Sequence, residues 1–328
     1  MTESANITSS FSTVVQALKE RMLHRFAILG FDLVLLIGLG VALVGCVLAM
    51  GGRIRLLQAS VLLPLLCMVV AIVLRALSHP DTWREDVRHI LRDWVPFLFI
   101  VFIYENIHDV AGQVTGFDFA ATLNNWDVAI FGVEPTIWAQ KIYSPVLTDL
   151  FSISYALYFA LPLFIMFLLS LFDRRYDFRQ LALCLTFTFI MGFLGYVFLP
   201  ASPPRYFIEH LYTDPVKLHG LFLFDRLQGA WDGLSVISGG AFPSLHVALS
   251  TVALIYAWRF RNGGPAFRLL WYSYIFLATS LWFSTVYLRH HWVIDIAAGW
   301  LVAIVAYAFA VPMMKEWVKL RQRYGLPF

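Results

Sequence analysis

The sequence predicts an all-α integral membrane protein of about eight transmembrane helices, and three observations lead there. Of its 328 residues 60% are hydrophobic and only 14% charged, too few charges to clothe a soluble globule. Apolar runs recur at lengths that match the thickness of a bilayer. The basic residues gather between alternate runs, as the positive-inside bias requires of a chain with both ends in the cytoplasm.

Residues 1–25 start polar and continue with helical apolar spacing through Val14, Val15, Leu18 and the basic Lys19 and Arg21. They carry no cleavable signal pattern and are expected to lie on the cytoplasmic face. Residues 26–50 and 56–77 are each long enough to cross, with Gly51, Gly52, Arg53 and Arg55 at the turn between them. A charged stretch, 78–92, is broken by His79-Pro80 and reads as a cytoplasmic loop. Residues 93–111 form the third span. Glu105, His108 and Asp109 share one of its faces near the far end, either as a helix end reaching interfacial water or as contacts to a headgroup or acceptor.

The segment 112–145 mixes amphipathic pieces with turns, and its Trp126 and Trp138 suit a membrane interface. Residues 146–172 span back to the basic cluster Arg174, Arg175 and Arg179. The next span, 181–199, stops at Pro200. Residues 200–243 are the longest polar excursion. Unstructured loops beyond about 12–15 residues are uncommon in idle connections, so a lid or substrate-binding loop is expected. The last spans are 243–258, 269–288 and 292–314, with the basic turn 259–268 between the first two. Arg53, Arg55, Lys141, Arg205, Lys217, Arg226 and Arg289 fall on the outer side of this scheme, and the rest of the 24 Lys and Arg fall on or beside the cytoplasmic segments. Residues 1–92 thus make an interfacial helix with two added spans, and 93–328 a six-helix core. Cys46, Cys67 and Cys184 lie inside apolar runs as packing residues, without metal or disulfide spacing. The net charge of +3 gives no reason to expect nucleic acid.

Chemistry concentrates at the outer ends of the last four spans. His291 and Asp295, four apart, share a helix face, where a carboxylate can fix the imidazole tautomer and raise its basicity. Such a pair can also be purely structural at a helix start. It comes, however, with Pro203-Pro204-Arg205, Pro243-Ser244-Leu245-His246 and Ser284, and polar groups at membrane depth are costly and usually functional.

These residues resemble the type 2 phosphatidic acid phosphatase superfamily, whose motifs run Lys-x6-Arg-Pro, Pro-Ser-Gly-His and Ser-Arg-x5-His-x3-Asp. The third keeps its spacing through Ser284, His291 and Asp295. Thr285 replaces the arginine, Leu245 the glycine, and Phe198 stands near where the lysine would fall. Phe242-Pro243-Ser244-Leu245-His246, His290-His291 and, upstream, Trp126-Asp127, Gly132, Pro135 and Trp138 look more like the branch containing fungal inositol phosphorylceramide synthase.

The resemblance implies a six-helix lipid-phosphatase-like core and roles residue by residue. His291, oriented by Asp295, would attack phosphorus to give a phosphohistidine, and His246 would protonate the leaving alkoxide and later deprotonate the acceptor. Arg205 would clamp the phosphate. Ser244, at the start of a helix, would hold it through its hydroxyl and the free N–H groups behind it. Arg289 either replaces the arginine lost at Thr285 or caps the interface. His290 is expected on the headgroup or acceptor side.

No carboxylate cluster accompanies the motifs, so no metal and no cofactor is expected. The partners are a membrane lipid donor and an alcohol or lipid acceptor. A phosphotransferase is preferred over a lipid phosphatase, because a diester carries less negative charge than a monoester and needs fewer cations. A transporter reading would leave the spacing of the motifs unexplained. The expected location is a bacterial inner membrane, with the site facing the periplasm or exterior.

Overall fold

The computed structural model describes residues 2–49, 116–212, 218–234 and 239–326, with scattered positions between 62 and 94. Most of the expected second and third spans, and with it Glu105, His108 and Asp109, lies outside the described residues. Among the described residues the secondary structure is helical, apart from one parallel bridge between Ala201 and Gly240.

Helices α1 (Thr2–Leu29) and α2 (Phe31–Ala49) meet at Gly30. That glycine has φ of 87°, a conformation that side chains disfavour. The chain turns there by 104°, so the expected single span 26–50 is broken at Gly30. The break leaves carbonyls at the end of α1 without intrahelical donors. Trp317 Nε1 and Arg321 Nη1 donate to one of them, Ala27 O, at 3.1 and 2.8 Å.

The interfacial stretch folds as α3 (Ala120–Phe131), α4 (Pro135–Trp138) and a 3-10 turn (Ala139–Ile142), in line with the mixture of amphipathic pieces expected. Gly132, at φ 73°, ends α3 with its N–H on Val128 O. The expected span 146–172 is two helices, α5 (Pro145–Ala156) and α6 (Ala160–Leu171), bent by 45°. Pro162 gives the reason: it has no N–H for the carbonyl of Tyr158, and its ring would collide with that carbonyl in a continuous helix.

At the centre stands α7 (Arg175–Phe198), apolar on nearly every side and buried through Phe178, Leu181, Leu185, Phe189 and Phe193. The excursion after it holds α8 (Pro204–Phe207), a 3-10 turn (Glu209–Leu211) and α9 (Phe224–Leu234), elements that sequence reading did not resolve. Helices α10 (Leu245–Phe260), α11 (Pro265–Tyr287) and α12 (Val293–Arg323) complete the bundle. α12 packs on α7 and α10, α10 on α11, and α11 on α5. Helices α7, α11 and α12 are long and apolar enough to cross a membrane. The bent pairs α1–α2 and α5–α6 would bring the described crossings to 5, and α10 is shorter, at 16 residues. The expected count of about eight also includes 56–77 and 93–111, outside the described residues.

Candidate active site

Three helix ends converge. The first is the start of α10, where Ser244 is the N-cap and its Oγ accepts from Val247 N at 3.4 Å, as its place after Pro243 suggests. Close approach is what seats this turn between α7 and α12. A Cβ at Gly195 would run into Pro243, and one at Gly299 would lie 2.6 Å from the Ser244 carbonyl oxygen. Ser244 N in turn donates to Asp295 O at 3.3 Å.

The second is the end of α11. Arg289 adopts the left-handed conformation, φ 64°, where a Schellman cap usually has glycine. The cap is closed by Arg289 N on Val286 O (3.0 Å) and His290 N on Thr285 O (2.9 Å), and His291 N joins the same Thr285 carbonyl at 3.1 Å. This reversal swings two histidines off the helix end and into the protein.

The third is the start of α12. Asp295 Oδ2 accepts from Trp292 N at 2.9 Å and closes a capping box, while Asp127 of α3 accepts from Val293 N (2.8 Å) and Ile294 N (3.0 Å) with its two oxygens. Those are the first free donors of α12, which carry its positive dipole end.

His291 Nδ1 lies 2.8 Å from Ala241 O and 3.3 Å from Asp295 Oδ2. A carbonyl has no proton to give, so in this contact Nδ1 carries the hydrogen and Nε2 of the neutral ring keeps its lone pair. Nε2 faces His246 Nδ1 at 3.2 Å, and the same reasoning makes His246 Nδ1 the donor there. A ring nitrogen with a lone pair and a ring N–H are therefore in contact, and any group that reaches His291 Nε2 has to part the two rings.

The structure buries most of this cluster: His291 is 3% exposed, Asp295 and Ser244 0%, and His246 is half-buried. Three aromatic rings enclose it. Tyr155 of α5 stacks on His246 (centroids 4.3 Å apart) and on His290 (4.5 Å), Tyr158 packs on His246, and Trp231 of α9 meets His290 edge-on. Burial, and then the positive charge of Arg205, hold the His290 imidazole well below its ordinary pKa, so it is neutral. Its Nε2 is buried without a hydrogen-bond partner among the described residues, an arrangement that costs about 1–3 kcal/mol unless something fills it.

Arg205 N donates to Arg289 O at 3.0 Å, joining α8 to the turn between α11 and α12. The Arg289 guanidinium lies 3.8 Å from the centre of the Tyr212 ring, so it is packed on the excursion. Ser244 Oγ is engaged as the helix cap, with its hydroxyl hydrogen still available to donate. Thr285, in the family's arginine position, is buried with its hydroxyl on Trp282 O, and Phe198 is 64% exposed.

Sequence reading missed Asp149 and Tyr155, and it quoted Asp127 without a role. Asp149 accepts from the N–H groups of Leu221, Phe222, Leu223 and Phe224 at 2.8–3.2 Å and pins the start of α9 to α5. The signal was legible, since an aspartate inside an apolar run is expected to have a purpose. Beside the catalytic turn opens an apolar groove of about 870 Å³, bounded by Trp138, Phe151, Trp282, Tyr287, Ile294 and Trp300. Among the described residues no three His, Cys, Asp or Glu side chains converge as metal ligands would.

Comparison with known proteins matches residues 128–309 to the PAP2 superfamily, a stretch that includes Arg205, Ser244, His246, His291 and Asp295. The chain belongs to this superfamily. Within PAP2, it is 28% identical over 184 residues to the inositol phosphorylceramide synthase of Candida albicans, covering 51% of this chain and 37% of that one. It is 30% identical over 162 residues to the phosphoinositol dihydroceramide synthase of Bacteroides thetaiotaomicron, covering 45% of this chain and 51% of the relative. Identity to the Saccharomyces cerevisiae inositol phosphorylceramide synthase catalytic subunit AUR1 is 35% over 122 residues, 34% of this chain and 28% of that one. The chain thus matches about half or less of the length of these curated relatives. No solved structure matches it. PAP2 membership and the apolar helices make this a multi-pass integral membrane protein.

Proposed function

We propose that this PAP2 protein is a lipid phosphotransferase that moves a phosphorylated headgroup from a lipid phosphate ester to an alcohol, through a phosphohistidine at His291. One observation carries the reading. His291 Nδ1 is tied to Ala241 O and Asp295, which leaves the Nε2 lone pair facing His246.

Nε2 attacks phosphorus and the bond to the donor's lipid alcohol breaks. Protonated His246 gives its proton to the departing alkoxide. The phosphorylated ring keeps Nδ1–H and a positive charge, which Asp295 balances. An acceptor hydroxyl then gives its proton to His246 and attacks phosphorus, and the P–N bond breaks. General acid–base help of this kind is worth roughly 10²–10⁴ in rate. Arg205 and the Ser244 hydroxyl bind the phosphate oxygens, no metal is required, and the donor's hydrocarbon chains lie in the groove beside Tyr287 and Ile294. The relatives are named for making inositol phosphorylceramides, so a phosphoinositol donor and a ceramide acceptor are the first pair to try.

The test uses purified protein and a donor labelled in its phosphorylated headgroup. Rapid quenching is expected to trap an acid-labile labelled protein in the wild type and none in His291→Ala, with His246→Ala slowed by roughly 10²-fold or more. Normal turnover by His291→Ala overturns the mechanism. Release of free headgroup at the same rate with and without acceptor would make the enzyme a phosphatase.

A further inference from the structure

We propose that His290 selects phosphodiester donors: its Nε2 binds a non-bridging oxygen of the donor phosphate, beside the guanidinium of Arg205. The inference rests on the phosphotransfer reading and gives that site its substrate class.

His290 is 7% exposed, and its Nε2 is buried with no hydrogen-bond partner among the described residues. Buried polar atoms are nearly always paired, so an exception one residue from the nucleophile calls for a ligand. Its placement fits. The ring stacks on Tyr155, as His246 does, and is met by Trp231, while the backbone N–H is tied to Thr285 O, so His290 stands beside the His246–His291 pair.

Charge decides which phosphate. A monoester carries about −1.5 to −2 at neutral pH, whereas a diester carries a single charge shared by two oxygens. The positions where PAP2 motifs have further cations hold Thr285 and Phe198 here. Arg205 matches one negative charge, and a neutral imidazole N–H adds a hydrogen bond without adding a second positive charge that a diester cannot balance.

The experiment compares kcat/KM on phosphatidylinositol, a diester, with that on phosphatidic acid, a monoester, in detergent micelles. His290→Phe keeps the ring stack and deletes the nitrogens, while His290→Gln keeps a donor. The phenylalanine variant is expected to lose roughly 10- to 100-fold on the diester, mainly through KM, with a smaller loss on the monoester and partial recovery in the glutamine variant. A diester kcat/KM in His290→Phe near the wild-type value overturns the proposal, as does an equal loss on both esters that glutamine does not recover. Should the phenylalanine variant fail to fold, the ¹⁵N shift of His290 Nε2 in the wild type on adding a phosphonate analogue of the diester decides: movement supports the contact, none overturns it. No turnover of either ester by the wild type is the separate failure of the phosphotransfer reading.

Discussion

At Asp295 one carboxylate serves two ends: Oδ2 caps the Trp292 N–H and also faces His291 Nδ1. Asp295→Asn keeps an oxygen for the cap and loses the charge that balances a phosphorylated ring. Activity is expected to fall roughly 10²- to 10⁴-fold, while thermal unfolding moves little. Wild-type activity in this variant, measured beside its melting curve, would leave the pair only structural. The spacing of His291 and Asp295 was legible because a helix makes i and i+4 neighbours. The contact of His291 with His246 was not, since it depends on how α10 and α12 approach, and no local pattern encodes that. Ala241 O was equally hidden, because a backbone carbonyl gives no side-chain signal. Arg289 illustrates the reverse case: its side chain was noticed, yet its left-handed backbone, which turns the histidines inward, is invisible in its residue type.

Among the elements, α9 and α10 owe their positions to single residues. Asp149 collects N–H groups from Leu221 through Phe224, and through them holds Trp231 over His290. Asp149→Ala leaves these donors without their acceptor and should cost about 1–3 kcal/mol. In the proposed mechanism α9 shields the phosphohistidine from water, so loosening it is expected to raise the ratio of released headgroup to transferred product. An unchanged ratio in an active variant would show that α9 does not exclude water. Gly299 bears on the other side. A methyl group there meets the Ser244 carbonyl oxygen and Val247, so Gly299→Ala should push α12 from α10, part His246 from His291, and lower kcat together with the melting temperature, at about 1–3 kcal/mol of stability. The groove admits a gentler probe: Ala297, on its wall, is exposed, so Ala297→Trp fills space without disturbing the core. KM should rise several-fold for long-chain donors and hardly at all for short-chain ones, and equal KM values would remove the groove from the reaction.

For the molecule as a whole, topology is expected to follow from the alternation of helices and from the basic turns 174–175 and 259–268. Cysteines replacing Arg174 and Arg261 should resist an impermeant label from outside, and one replacing Arg226 of α9 should react. Labelling of the first two from outside would place the chemistry in the cytoplasm. The helical class and most of the described boundaries were legible because a bilayer permits few solutions to backbone hydrogen bonding. The breaks at Gly30 and Pro162 were not, since each lies inside an apolar run whose hydropathy barely changes across it. The order of the helices bears, finally, on biogenesis. α12 contacts α1, α2, α3, α7 and α10, all of which precede it in the chain. A ribosome therefore delivers Arg205, Ser244 and His246 well before His291 has a helix to stand on. Until α12 is inserted, Ser244 N lacks the Asp295 carbonyl and Ala27 O lacks Trp317 and Arg321, so the nascent bundle holds buried polar groups open for one late partner. Insertion of that single helix satisfies both sets of groups and seats His291 against His246 in the same event.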